Sequence, residues 1–216
     1  MRFREELAEL IGTFTLVFIG AGAGALASSS GAGVVGVALA HGVALAVIIY
    51  AWGAVSGAHV NPAVTFGLAV ASRFPWSRVW RYWLAQLIGA ALAGGLLLAV
   101  IGRQGNLGMT VPAAGLAVWQ AMVIEAVLTF FLVSAVFGSA VAGRNGNAAG
   151  LAIGLVLAMD ILMGGSLTGA SMNPARSFGP ALAMMDFGGF VVYLVGPLVG
   201  AGVGGLLYDR AFLRSG

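Results

Sequence analysis

Cysteine and lysine are missing from this sequence, and charge of either sign is scarce. Ten arginines and seven acidic residues make up 8% of 216 positions, against roughly 25% charged residues in a soluble domain. The lack of cysteine excludes disulfides, thiolate metal sites and thiol catalysis. The lack of charge excludes an ordinary cytosolic enzyme, a nucleic-acid binder and a disordered chain. There is no phosphate-binding loop, no metal-ligand cluster and no nucleophile–base pair, so neither an enzyme nor a metal or other cofactor is expected. What the chain has is 60% hydrophobic residues and 35 glycines, with a mean hydropathy of +1.02. Its main solvent is a membrane. The isoelectric point near 10.0 then reads as a topology signal, not as the mark of a nucleic-acid partner.

Six long apolar runs extend from about Phe3 to Ala27, Val34 to Val55, Val79 to Ile101, Leu116 to Val141, Ala148 to Gly164 and Phe187 to Tyr208. At ~1.5 Å per residue each is long enough for a ~30 Å hydrocarbon core. The first has a charged start and no small-x-small cleavage site, so it reads as a span and not as a signal peptide. With the N-terminus inside, the inner segments hold Arg2, Arg4, Arg73, Arg78, Arg81, Arg144, Arg210 and Arg214, and the outer ones only Arg103 and Arg176. That asymmetry predicts a multi-pass protein with both termini cytoplasmic; the expected location is the plasma (inner) membrane. Small residues at four-residue spacing (Gly196, Gly200, Gly204 and Ala85, Gly89, Ala93) suit helix contacts in lipid, where close backbone approach carries the association. Tyr50, Trp52, Trp76, Trp80, Tyr82, Trp83 and Trp119 fall near span ends and read as interfacial anchors.

The chain repeats itself at an offset near 112 residues. Ser56-Gly-Ala-His-Val-Asn-Pro-Ala-Val-Thr-Phe-Gly67 matches Thr168-Gly-Ala-Ser-Met-Asn-Pro-Ala-Arg-Ser-Phe-Gly179. Glu9 with Thr13-Phe14 matches Glu125 with Thr129-Phe130, and Tyr82 to Gly94 aligns with Tyr193 to Gly205, Gln86 falling opposite Pro197. Each half of this single domain (about residues 1–105 and 112–216) holds three spans, an odd number, so the second half enters from the opposite side. The halves are inverted repeats, and in such folds the site lies at the repeat interface near the midplane.

Between the second and third spans, and again between the fifth and sixth, lie apolar segments from Asn61 to about Ala71 and from Asn173 to about Met184. Each is ~10 to 12 residues, or ~15 to 18 Å as helix, which is half a bilayer. The expected fold is therefore an all-α membrane protein of six transmembrane helices plus two re-entrant half-helices. Asparagine is a strong N-cap, and proline at the first helical position lacks an N–H that would be unpaired anyway. Both half-helices start at Asn-Pro, and inverted symmetry brings the two starts together at the bilayer centre. Each start is equivalent to about +0.5 charge. The Asn61 and Asn173 side-chain oxygens cap their own helices, which leaves the amide N–H₂ groups as lumen donors. Cations are repelled there and a small molecule with an acceptor oxygen is oriented. The irregular chain leading in, tolerated at this depth only where it lines a wet cavity or is buried in protein, supplies carbonyl acceptors.

In these paired frames, and from Glu9 to Tyr208 as a whole, the sequence resembles the aquaporin, or major intrinsic protein, family. The resemblance implies a homotetramer with one pore per subunit. It implies a passive channel for water that excludes protons and ions, with Asn61, Pro62, Ala63, Asn173, Pro174 and Ala175 as the pore signature. It also places the family's outer aromatic/arginine filter at His41, Ile161, Ala170 and Arg176. This set is similar to that of some plant vacuolar aquaporins, and differs from the Phe/His pair of strict water channels and the Trp and Phe of glycerol facilitators. Ser177 and Ala181 stand where glycerol facilitators carry Asp and a basic residue, which favours water, whereas Leu194 departs toward the glycerol pattern. The expected hole is somewhat wider than a strict water pore and less polar on one wall, which brings ammonia, hydrogen peroxide, urea and glycerol into range. The alternatives are a glycerol facilitator of the aquaglyceroporin type and a secondary transporter with inverted repeats.

The remaining polar residues are weighed on their own chemistry. Arg176 is the third residue of the second half-helix; a charge at such depth faces a watery path, the other reading being an ion pair with Asp160. Glu9 and Glu125 are expected to accept hydrogen bonds from re-entrant backbone N–H groups and so brace the half-helices, since a proton relay would defeat proton exclusion. His59, two residues before Asn61, is expected to line the inner vestibule.

Overall fold

The computed structural model describes residues 3–213; Arg2 and Arg214, counted above among the inner arginines, lie outside the described residues. The helices are α1 (Arg4–Ser30), α2 (Gly33–Ser56), α3 (Pro62–Val70), α4 (Trp76–Ile101), α5 (Val118–Val136), α6 (Ala149–Thr168), α7 (Pro174–Met184) and α8 (Phe190–Tyr208). Six are long and apolar enough to cross a membrane, while α3 and α7, with 9 and 11 residues, reach half-way. The ends differ from the apolar runs where backbone chemistry intervenes. α6 continues past Gly164 to Thr168, where Gly169 turns left-handed at φ 83°. α8 starts at Phe190 because Gly189 takes φ 76°. The run of α5 finishes in a widened turn, Phe137–Val141.

α1 packs on α2 and α4, and α5 packs on α6 and α8, so each repeat is built alike. The halves meet where α2 crosses α6. Gly42 and Gly154, equivalent in the repeat, face each other there: a Cβ on Gly42 would lie 2.6 Å from the Gly154 carbonyl oxygen. The pseudo-two-fold axis therefore passes between these two residues. Each half-helix rests on the last span of the other repeat, α3 on α8 and α7 on α4. Gly67 meets Ala201 and Gly205 at the first contact, and Gly179 meets Gly94 at the second, with backbone against backbone. In lipid such approach, and the dispersion contacts it allows, replaces the hydrophobic force as the adhesive.

Leu39, Val43 and Val47 of α2 and Trp80, Leu84 and Ile88 of α4 are among the exposed apolar side chains that face outward. One end of the bundle carries the ion pairs Arg78–Glu5, Arg81–Glu6 (2.6 Å) and Arg73–Asp209 (2.6 Å), and is called the arginine-rich face below. Tyr50, Trp76, Trp80 and Trp119 are exposed, as anchors must be. Tyr82 and Trp83 are not anchors. They sit on the inward side of α4: Tyr82 is buried with its hydroxyl 2.8 Å from the Ser56 carbonyl, and Trp83 donates to the Pro62 carbonyl at 3.0 Å.

Candidate functional site: a lumen between two half-helices

The chain enters each half-helix through a strained segment. Gly57, Ala58 and Val60 have φ of 89°, 47° and 42°; Gly169, Ala170 and Met172 have 83°, 45° and 53°. A left-handed conformation costs a non-glycine residue roughly 1–2 kcal/mol, so these segments need outside support. Glu9 accepts hydrogen bonds from Ser56 Oγ (2.7 Å), His59 N (2.9 Å), Val60 N (2.6 Å) and Gln86 Nε2 (2.8 Å). Glu125 accepts from Thr168 Oγ1 (2.7 Å), Ser171 N (2.9 Å) and Met172 N (2.7 Å). Tyr193 donates to the Thr168 carbonyl at 2.6 Å, matching Tyr82 on Ser56.

The half-helix starts follow from the Asn-Pro pair. Asn61 Oδ1 accepts from Ala63 N at 2.8 Å; Asn173 Oδ1 accepts from Ala175 N at 3.0 Å and Arg176 N at 3.2 Å. Pro62 and Pro174 open the helices, where no N–H is needed. The amide nitrogens depart from the sequence expectation. Asn61 Nδ2 donates to the Met172 carbonyl (2.8 Å) and Asn173 Nδ2 to the Val60 carbonyl (2.9 Å). One N–H of each amide thus ties the two repeats together, and only the second is left for the lumen. Each of those two carbonyls spends one of its two lone pairs on this tie.

Both asparagines line a first cavity of about 340 Å³ that runs from Arg73 and His59, toward the arginine-rich face, to His41 and Arg176. Its wall is mainly aliphatic, including Leu16, Leu45, Leu132 and Leu157. His59 Nδ1 lies 3.1 Å from Thr65 Oγ1. A second cavity, of about 360 Å³, opens on the opposite face between Gly24, Gly33, Thr110 and Ile161, and Arg176 lines it as well. Arg176 and its immediate neighbours therefore stand at the division between the two cavities.

Arg176 is 4% exposed, and its guanidinium is tied at two points. Nε donates to His41 Nε2 (3.2 Å) and Nη1 to the Gly108 carbonyl (2.7 Å). His41 Nδ1 lies 2.9 Å from the Val37 carbonyl. A carbonyl only accepts, so Nδ1 carries the proton and Nε2 presents its lone pair to the arginine. Asp160 does not pair with Arg176: both its oxygens are buried and have no hydrogen-bond partner among the described residues. The Arg176 fork is already directed at His41 and Gly108. Ile161 lines the second cavity beside Arg176. Ala170 lines neither cavity; its backbone belongs to the strained segment and its Cβ packs toward Gly164.

Two contributors were not anticipated from the sequence. Gln86 ties Glu9 to Thr65, its Nε2 lying 2.8 Å and 3.1 Å from them; a lone amide inside an apolar span was the available signal. Gly108 closes a left-handed turn in which Gly105, Asn106, Leu107 and Gly108 have φ of 48°, 49°, 52° and 63°. The Gly-Asn-Leu-Gly spacing hints at that turn, but nothing local ties it to Arg176. No group of three metal-ligating side chains occurs among the described residues.

Comparison with known proteins finds relatives over nearly the whole chain. The family model described as Major intrinsic protein matches residues 1–208. Aquaporin TIP2-1 of Arabidopsis thaliana is 45% identical over 98% of this chain and 88% of its own length. Aquaporin AqpM of Methanothermobacter thermautotrophicus is 44% identical, covering 94% and 95% of the two chains, and Aquaporin NIP1-1 of Zea mays is 42% identical over 94% and 73%. Among solved structures, the aquaglyceroporin from Plasmodium falciparum superposes with a TM-score of 0.90 at 26% identity, covering 99% of this chain and 98% of that one.

Proposed function

Because the chain belongs to the major intrinsic protein family of membrane channels, we propose that it conducts water and small neutral solutes down their gradients and excludes protons and other ions. The observation that carries this reading is the facing pair of capped helix starts, Asn61 and Asn173, on one cavity deep in the bundle. Two helix N-termini of about +0.5 charge each make that point electropositive, and the free N–H of each amide orients an acceptor oxygen. A cation entering from either face meets this field. From the opposite face it also meets the guanidinium of Arg176, and a buried charge of that kind acts strongly at low dielectric.

His41, Ile161 and Arg176 form the narrow filter in this reading. One wall is aliphatic because Ile161 offers no donor, and Arg176 is held aside by His41. The opening suits solutes somewhat larger than water, so ammonia, hydrogen peroxide, urea and glycerol are proposed as further permeants, with water the main one. His59 lines the vestibule toward the arginine-rich face, and Glu9 and Glu125 brace the half-helices. The arginine-rich face is assigned to the cytoplasm by the inside preference of arginine, in a plasma (inner) membrane. A homotetramer with one lumen per subunit is proposed on the family's pattern.

The test is stopped-flow light scattering of proteoliposomes under gradients of water, glycerol, urea and ammonia. Wild-type protein should accelerate water flux without carrying current. Arg176→Ala should raise glycerol and urea flux, and Asn173→Asp should reduce water flux. Saturable uptake coupled to an ion gradient would instead make the protein a secondary transporter.

A further inference from the structure

The place of the His41 ring is set from outside the filter. Gly20 of α1 lies directly behind it. A Cβ on Gly20 would fall 2.7 Å from His41 Cε1 and closer still to Cδ2 and Nε2. One turn on, a Cβ on Gly24 would fall 3.3 Å from Gly108 Cα and 3.9 Å from Arg176 Nη2. His41 Nε2 and the Gly108 carbonyl are the two acceptors that hold Arg176. α1 therefore presents a shallow recess in which the imidazole, the left-handed turn and the guanidinium are seated together.

The internal repeat provides the comparison. By the offsets that pair Glu9 with Glu125 and Gly42 with Gly154, Gly20 and His41 correspond to Val136 and Ile153, which both line the first cavity. Opposite an aliphatic side chain the helix carries valine, and opposite the ring it carries only hydrogen. The ring has no other retreat, since its Nδ1–H is bonded to the Val37 carbonyl one turn back on α2. A methyl group behind it would push it toward Arg176 and the lumen.

We propose that Gly20 is a specificity-determining residue of this channel: its missing side chain lets His41, and through it Arg176, stand back from the lumen, and so sets the largest neutral solute that passes. The proposal rests on the filter reading given above. Gly20→Ala is tested alone and in a His41→Ala background, with Gly95→Ala, whose added Cβ would meet nothing within 4 Å, as the helix-glycine control. Urea and glycerol permeability are measured relative to water. In Gly20→Ala the ratio should fall roughly tenfold, the scale on which a pocket discriminates one methyl group. It should return to the His41→Ala value in the double variant and stay at wild type in Gly95→Ala. An unchanged ratio in Gly20→Ala, or a fall that persists without the ring, would overturn the proposal. Should Gly20→Ala fail to accumulate in membranes, the yield of folded channel becomes the readout, and the same recovery on removing the ring is required. Wild-type liposomes with no flux above lipid would overturn the channel reading itself, and this proposal with it.

Discussion

Glu125→Gln tests the bracing of the half-helix most directly. All three partners of this side chain are donors: the Thr168 hydroxyl and the Ser171 and Met172 amides. A group surrounded only by donors works as an ionised carboxylate, which has acceptors alone. Glutamine keeps one oxygen and replaces the other with an N–H₂. Placed at Oε2, that N–H₂ confronts the Met172 N–H, donor against donor. Turned over, it confronts two donors instead of one. The variant loses at least one charge-assisted hydrogen bond and leaves one amide of a left-handed residue without an acceptor. Relief from burying a charge offsets part of this, leaving a net loss of about 2–4 kcal/mol. The damage does not stay in the second repeat. The Met172 carbonyl holds Asn61 Nδ2 at 2.8 Å, so relaxation of Met172 releases the capping asparagine of the first half-helix. We expect a thermal midpoint in detergent lower by on the order of 10 °C, and a lower water permeability per correctly inserted channel. A Glu125→Gln protein with the wild-type midpoint and unit permeability would refute the reasoning, because it would mean that the side chain is a neutral acid which an amide replaces without loss.

Other substitutions probe separate links. His41→Phe with Ile161→His exchanges the walls of the filter and should lower the glycerol-to-water permeability ratio; proteoliposome swelling reads it, and an unchanged ratio would remove these residues from the filter. Gly42→Ala puts a Cβ 2.6 Å from the Gly154 carbonyl and 2.8 Å from Ala158 Cβ, so forcing α2 and α6 apart should cost about 1–3 kcal/mol, measured as a lower midpoint. Asp160→Ile replaces a buried, unpartnered carboxyl with the residue that the other repeat carries at Ile48. It should raise the midpoint, by about 1–3 kcal/mol of recovered desolvation, and leave water flux intact.

What the sequence made legible was local or repeated. Asn-Pro at the head of a short apolar segment specifies an N-cap and a first helical residue from two adjacent positions, so both half-helix starts could be read directly. Glu9 and Glu125 stood out because carboxylates deep in apolar spans need donors, and the duplicated irregular segments were the donors within reach. The features hidden from the sequence depend on distance. Nothing near Asn61 indicates that its amide ends on Met172, 111 residues away. Nothing near Arg176 singles out the carbonyl of Gly108 over the acidic Asp160, which by residue type alone is the better partner. Tyr82 and Trp83 mislead for a related reason. Their position along the membrane normal is that of an anchor, but their position around α4 is inward, and composition reports only the first.

The two repeats also show how the work of the molecule divides. The scaffold is symmetric: two asparagine caps, two carboxylate braces, two tyrosine hydroxyls on equivalent carbonyls, and glycine crossings in matched pairs. Symmetry of that kind makes a central field that opposes a cation equally from either face, and it requires nothing more of the sequence than duplication. A filter requires the opposite. The third residue of each half-helix occupies an equivalent place, yet one is Val64, on the wall of the first cavity, and the other is Arg176, where the cavities divide. A second guanidinium at Val64 would need its own acceptors at a cost of several kcal/mol for an unpaired buried charge, and it would have Ile153 in the place where Arg176 finds His41. Charge at the arginine-rich mouth is carried instead by Arg73, half-exposed and paired with Asp209. In the filter reading proposed above, selection by size and polarity is therefore concentrated at one level of the lumen, where the repeats differ, and the common barrier is kept where they agree.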